Sequence, residues 1–298
     1  MFKTLSIFTI GILLCILPNI SHSQESLEDL ILRSEVYENL VYSGRATFVS
    51  DQDVYYEGSI DSVYSSTHET INCTFNTDKY YSENETIFED EQGKRTFINT
   101  TLCTSEKCII LTLNENSNGL FYPTANIYPV EYRRVIEDYV LSYMGINGIK
   151  ISDFLSGNVI LDKNPVKTVQ LLRKESLSGV DCFVIRMDFA DGDMIITAWL
   201  SDEHQLKPIQ VVIENYSLNE IKKYDRTDYE YIMVNDVWCT KKITTQRIRD
   251  DILLSNKVVD FIEYEVNVPI DDDVFLWTLP SGIQAYDYRV NRYVTIPQ

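Results

Sequence analysis

The sequence predicts an α+β fold that is mostly β, with an antiparallel meander as its body and amphipathic helices laid against it. Three observations predict this. Gly179 to Tyr216 reads as three consecutive strands, further runs rich in Tyr, Thr, Val and Ile are separated by short polar turns, and two segments carry helical spacing with one apolar stripe. Short links between successive strands imply antiparallel order.

The chain opens on an export signal. Lys3 is the sole charge before an apolar run from Leu5 to Leu17, and Ser21 and Ser23 place small residues where a signal peptidase cuts, so residues 1–23 are expected to leave before Gln24. The run is shorter than the roughly 20 residues a bilayer span needs. Leu14 before Cys15 does not suit lipidation. A periplasmic or secreted protein is therefore expected, with no transmembrane span after cleavage.

Ser26 to Val41 forms the first helix, with Leu27, Leu30, Ile31, Tyr37, Leu40 and Val41 on one stripe, Ser26 as its cap and Ser43-Gly44 as its end. Residues 45 to 122 then hold strands at Arg45–Val49, Val54–Tyr64, Glu69–Phe75, Lys79–Tyr81, Thr96–Leu102 and Ile109–Leu113. A second helix spans Pro129 to Met144 and ends at Gly145 and Gly148. Ile149 to Pro165 is less regular and suggests a packed turn of helix or a buried loop.

The meander begins at Lys167. Phe183, Ile185, Met187 and Phe189 alternate with polar positions, Ala190-Asp191-Gly192 turns the chain, and Met194 to Leu200 is apolar on both faces. Asp228–Val234 and Val237–Arg249 form a hairpin through Asn235-Asp236. In the strand from Lys257 to Val268 the apolar phase shifts between Phe261 and Ile262, which predicts a bulge. Phe275 to Leu279 reads as a packed segment, and Pro280-Ser281-Gly282 turns into a short closing tail.

Composition narrows the function. The formal charge of −19 becomes −20 once Lys3 is lost, which argues against nucleic acid and against docking on anionic membranes. No nucleic-acid partner is expected. The mature chain has two histidines, His68 and His204, and no GxSxG, HExxH, GxGxxG or P-loop pattern, so no catalytic residue, metal ligand or cofactor is assigned. Asp271-Asp272-Asp273 lacks the spacing of a calcium loop and reads as a charged connection. Five cysteines remain, Cys73, Cys103, Cys108, Cys182 and Cys239; Cys103 and Cys108 flank a tight loop where a bridge is open to them, and buried free thiols are the other reading. Of the four Asn-x-Ser/Thr sites in the mature chain, two fall at Asn84 and Asn99; they would carry glycans only on a eukaryotic secretory route.

The order of signal, helix, strand opening SGRATF (Ser43 to Phe48), MIITAWLSDEHQLKPIQVVIENY (Met194 to Tyr216), DYEYIMVNDVWCTKKIT (Asp228 to Thr244) and VNVPIDDDVFLWTLPSGIQAYD (Val266 to Asp287) resembles the outer-membrane lipoprotein carrier superfamily, the LolA/LolB-like proteins. The resemblance implies one domain over residues 24–298, a strongly curved antiparallel sheet or half-barrel with helices packed on its concave face. It also implies non-catalytic binding of a lipid, a lipoprotein acyl chain or another apolar ligand between sheet and helices. The aromatic stripe of the second helix and one strand tryptophan mark the expected lining: Tyr132, Ile136, Tyr139, Tyr143 and Trp199. The alternative is a periplasmic sensor or protein-interaction module of the same fold, with an envelope protein as partner and no small ligand.

Overall fold

The computed structural model describes residues 25–56, 59–76, 79–115, 119–129, 149–161, 164–216 and 222–297. The expected signal and all but the first residue of the expected helix at Pro129 to Met144 lie outside them. Helix α1 (Leu27–Glu38) begins as the sequence predicts, because Ser26 and Asp29 form a reciprocal capping box that satisfies two of the amide donors a helix start leaves open. Helix α2 (Ile151–Ser156) is one packed turn, stopped by Gly157 in the left-handed region at φ 73°. Glu38 at the end of α1 accepts both the N–H (2.8 Å) and the hydroxyl (2.6 Å) of Ser152, which ties the two helices together.

All the strands join one sheet. In chain order they are β1 (Ser43–Tyr56), β2 (Ser59–Asn76), β3 (Tyr80–Asp90), β4 (Gly93–Cys103), β5 (Lys107–Glu115), β6 (Phe121–Pro129), β7 (Ile160–Leu161) and β8 (Asn164–Leu177). They continue with β9 (Val180–Phe189), β10 (Met194–Ser201), β11 (Lys207–Tyr216), β12 (Lys222–Val234), β13 (Val237–Arg249), β14 (Ile252–Val266), β15 (Gln284–Asp287) and β16 (Arg292–Thr295). Across the sheet the order is β16-β15-β6-β5-β4-β3-β2-β1-β14-β13-β12-β11-β10-β9-β8-β7. The sheet is large, open and curved, and does not close into a barrel. Neighbours are antiparallel except β15, which runs parallel to β6.

Several joints follow the residues closely. Asn235-Asp236, Asp250-Asp251 and Ser178-Gly179 all have positive φ at both central positions, the turn that matches strand twist in a two-residue hairpin. The bulge stands where the apolar phase shifts: Thr47 faces Glu263 and Phe48 faces Phe261, so Ile262 is the extra residue. Other boundaries differ. β1 and β2 run straight through Ser50 to Asp53 and through Ser65 to His68, which read as breaks between strands but pair in register, Asp53 opposite Ser66. Strand β6 was not expected, since Pro123 and Pro129 discourage a strand; it forms because its other residues pair with β5, Ala125 opposite Leu111.

The burial pattern divides the apolar residues between the two faces of the sheet. Cys108 and Ile109 are neighbours in β5, yet Cys108 joins a main core with Phe48, Phe154, Met187 and Leu30, while Ile109 joins a second core with Leu111, Ile127, Leu279 and Ala285. Successive strand residues point to opposite faces. The main core therefore lies on the helix side, called here the inner face. The second lies on the outer face of β5 and β6, where Trp277, Leu279 and Ile283 pack against it, and continues onto the adjoining edge strands through Ala285 and Val294.

Gly44 sits in β1 between Phe75 and Val266. A Cβ there would run into the carbonyl O of Glu265 and the ring of Phe75, so its role is close strand approach rather than ending the helix. Gly44→Ala is expected to lower stability by about 1–3 kcal/mol, the usual range for overpacking, read as a fall in the urea midpoint with an unchanged slope.

Candidate ligand-binding face

The pairing registers assign inner-face side chains in rows. One row crosses seven strands as Phe261, Phe48, Ile71, Asn84, Asn99, Thr112 and Thr124. This row is apolar as far as β2 and polar from β3 onward. The next row runs Ile243, Val259, Ser50, Glu69, Thr86, Phe97 and Asn114; polar residues enter it one strand earlier, at Ser50 in β1, and Phe97 interrupts them.

Glu69 marks the seam between apolar and polar. It is 7% exposed and accepts from Asn84 Nδ2 at 2.5 Å and Thr86 Oγ1 at 3.3 Å. Burial pushes its carboxyl above the ordinary range, opposed by the positive charge of Lys257 and by these two bonds. Lys257, opposite Gln52 on the same face, is pushed down by burial and held up by Glu69. Each group makes the charged form of the other less costly to bury. Asn99 Nδ2 continues the polar chain to Asn84 Oδ1 at 3.4 Å.

Of the five lining residues expected, Tyr132, Ile136, Tyr139 and Tyr143 lie outside the described residues. Trp199 is placed on the outer face, since Ile196, Ala198 and Leu200 on alternate positions of β10 enter the main core and Trp199 Nε1 donates to Glu175. Continuous apolar residues in β10 hid which way the tryptophan would turn. The Glu69 seam escaped the sequence reading. Its signal was an Asn and a Thr two residues apart in consecutive strands, which had registered only as sequons.

The remaining polar groups have structural work. Ser201 Oγ lies 2.8 Å from His204 Nδ1 and accepts the backbone N–H of His204 at 3.2 Å. Ser201 is fully buried, so this pair closes a turn and presents no nucleophile. Burial holds the His204 imidazole below its ordinary pKa. His68 pairs with Asp51 at 2.7 Å on the exposed side of β1 and β2. Asp271 caps a 3₁₀ turn through the N–H of Asp273, and Asp272 pairs with Lys79 at 2.6 Å. No cluster of metal-ligating residues occurs among the described residues. A cleft of about 610 Å³ at the ends of β8, β9 and β10 is bordered by Glu175, Asp181, Asp202 and Glu203, with Lys174 lying 4.4 Å above the Phe183 ring. All five described cysteines are buried, and Cys103 and Cys108 stand opposite each other in β4 and β5. Burial pushes the Cys73 thiol up to about 12, and Cys182 and Cys239 to about 11.

No family model matches the chain, and no curated protein matches it. Among solved structures it is similar to a LolA superfamily protein from Nitrosomonas europaea, at 12% identity and a TM-score of 0.43, covering 85% of this chain and 98% of that one. It is also similar to a porin-like protein from Bacteroides uniformis, at 10% identity and a TM-score of 0.25, covering 74% and 98%. The first carries the superfamily name that the order of elements suggests. TM-scores below 0.5 give neither likeness any weight for function.

Two measurements follow from these environments. The raised carboxyl of Glu69 means that above the ordinary glutamate value of about 4.3 the unfolded chain releases its proton before the fold does, so this residue lowers stability as pH rises through that window. Glu69→Gln is expected to flatten the change in urea midpoint between pH 4 and pH 7; an unchanged profile would remove Glu69 as its source. In the native mature protein at pH 8 the five thiols are expected to react slowly with an aromatic disulfide reagent, and all five quickly after guanidinium unfolding.

Proposed function

We propose that this chain is an exported, non-catalytic protein of the cell envelope that holds a lipid, a lipoprotein acyl chain or another apolar ligand between its sheet and its helices, on the concave side. The supporting observation is a mismatch of size. Sixteen strands at about 4.8 Å spacing span roughly 70 Å along the curve, whereas α1 and α2 are each about 10 Å across. The described helices cannot cover that width, and the apolar inner face continues to half-buried Phe261, Tyr264, Ile213 and Met194 at the margin of the core. A guest of dispersed apolar contacts needs few polar anchors, since each buried CH2 contributes about 0.8 kcal/mol. In this reading Tyr132, Ile136, Tyr139 and Tyr143 face the guest, and Trp199 does not.

A second reading, an envelope interaction module without a small ligand, is favoured by Leu32 and Val36, one helical turn apart on α1 and 63% and 62% exposed. Native mass spectrometry with solvent extraction of the purified mature protein separates the two. A co-purifying lipid is expected. Protein that emerges without one, and takes up none when offered acyl chains, would leave the interaction reading.

A further inference from the structure

Four consecutive strands each present one Asn and one Thr, two residues apart and on the same inner face: Asn84 and Thr86 in β3, Asn99 and Thr101 in β4, Thr112 and Asn114 in β5, Thr124 and Asn126 in β6. The registers put these into three rows of four. The four remaining places are Ser82, Phe97, Ile110 and Tyr122. None of the twelve positions is charged, although at the chain's 24% of charged residues about three would be. A water-facing sheet surface needs no such exclusion. Solvation also does not explain the partial shielding of Asn99, Thr112, Asn114 and Asn126, which are half-buried rather than exposed.

Asn84 and Thr86 are engaged with Glu69 and with each other, Thr86 Oγ1 donating to Asn84 Oδ1 at 3.1 Å, whereas the remaining polar groups of this face are loosely occupied by one another. Asn99 Nδ2 reaches Asn84 Oδ1 at 3.4 Å, Asn114 Nδ2 reaches Thr124 Oγ1 at 3.5 Å, and Thr124 Oγ1 reaches the Thr112 carbonyl at 3.4 Å. Such lengths are the weak end of hydrogen bonding. A carboxamide offers two donors and an acceptor with two lone pairs, and a hydroxyl offers both roles, so much capacity remains. Groups that donate and accept at once match a ligand whose groups do the same. Phe97 and Tyr122 add rings on which the C–H face of a sugar can rest. The lattice measures about 14 Å each way from strand spacing and rise.

From this arrangement we infer that the Asn/Thr face of β3 to β6 binds a neutral, polyhydroxylated group, the head of the same amphiphile whose chain lies on the apolar face beyond Glu69. This rests on the proposed function and narrows it. The head group carries hydroxyls and no phosphate or carboxylate, because no cation stands within the lattice and the mature chain is strongly acidic. Glu69 and Lys257 sit at the joint between head and chain.

The test uses isothermal titration of the mature protein, residues 24–298, with dodecyl maltoside, dodecylphosphocholine and dodecanoate below their micelle concentrations, and with maltose alone. The maltoside is expected to bind at least tenfold more tightly than the other two amphiphiles. Asn99→Leu and Thr112→Val, each checked for folding by circular dichroism, are expected to erase that preference and leave dodecanoate binding unchanged. Equal affinities for all three amphiphiles, unaltered by either variant, overturn the head-group assignment while the apolar reading stands. If none binds, both fall. Maltose binding as tightly as the maltoside, and lost in the variants, supports the face as a saccharide site and overturns the acyl-chain reading.

Discussion

A sheet sixteen strands wide has more surface than its described helices can shield from water, and the burial of this chain is arranged around that constraint. The solution changes sides. Over β8 to β14 and on through β1 and β2, apolar side chains gather on the inner face with α1 and α2. At β5 and β6 most of the burial passes to the outer face, where Trp277, Leu279 and Ile283 pack with Ile109, Leu111 and Ile127 and the cluster continues onto β15 and β16. The inner face of those strands is thereby released from packing, apart from the end that holds Cys108. That release is what allows a polar lattice to stand beside an apolar floor.

The electrostatics fit the same division. A chain of formal charge −19 repels anions at long range, and its charges are spent on surface pairs such as Arg247 with Asp225 and Arg226 with Asp228. Exposed pairs of this kind contribute little to stability. Glu69 and Lys257 differ, since both are largely withdrawn from water on the inner face and each leans on the other. A group that burial disfavours in its charged form is a natural place for polarity to change along a surface.

Much of the fold was legible in the residues, and the illegible parts share a cause. The cap at Ser26, the turn at Asn235-Asp236 and the bulge at Ile262 are local, set by neighbours within a few positions, so composition and period revealed them. Strands β9, β10 and β13 were found for the same reason, by strong alternation or a continuous apolar run. β1 and β2 looked broken because Ser, Thr and His in their middles resemble turns until a partner strand supplies their hydrogen bonds. The second core could not be read at all: Ile109 and Leu111 alternate as any strand does, and only the returning C-terminal segment decides which side of the alternation is dry. The Asn/Thr face was half visible, as Asn-x-Thr spacings whose shared orientation depends on register across four strands.

The central seam of the sheet joins Gly44 to Val266, and the parallel seam joins Ala125 to Ala285. Both connect the first half of the chain to its end. Loop closure of that length is slow, so the two meanders can form early as separate ribbons while their union waits for the last residues to arrive. Until then Ile109, Leu111 and Ile127 stand bare, which makes the terminal thirty or so residues a latch: clip them, and a soluble ribbon acquires a sticky back.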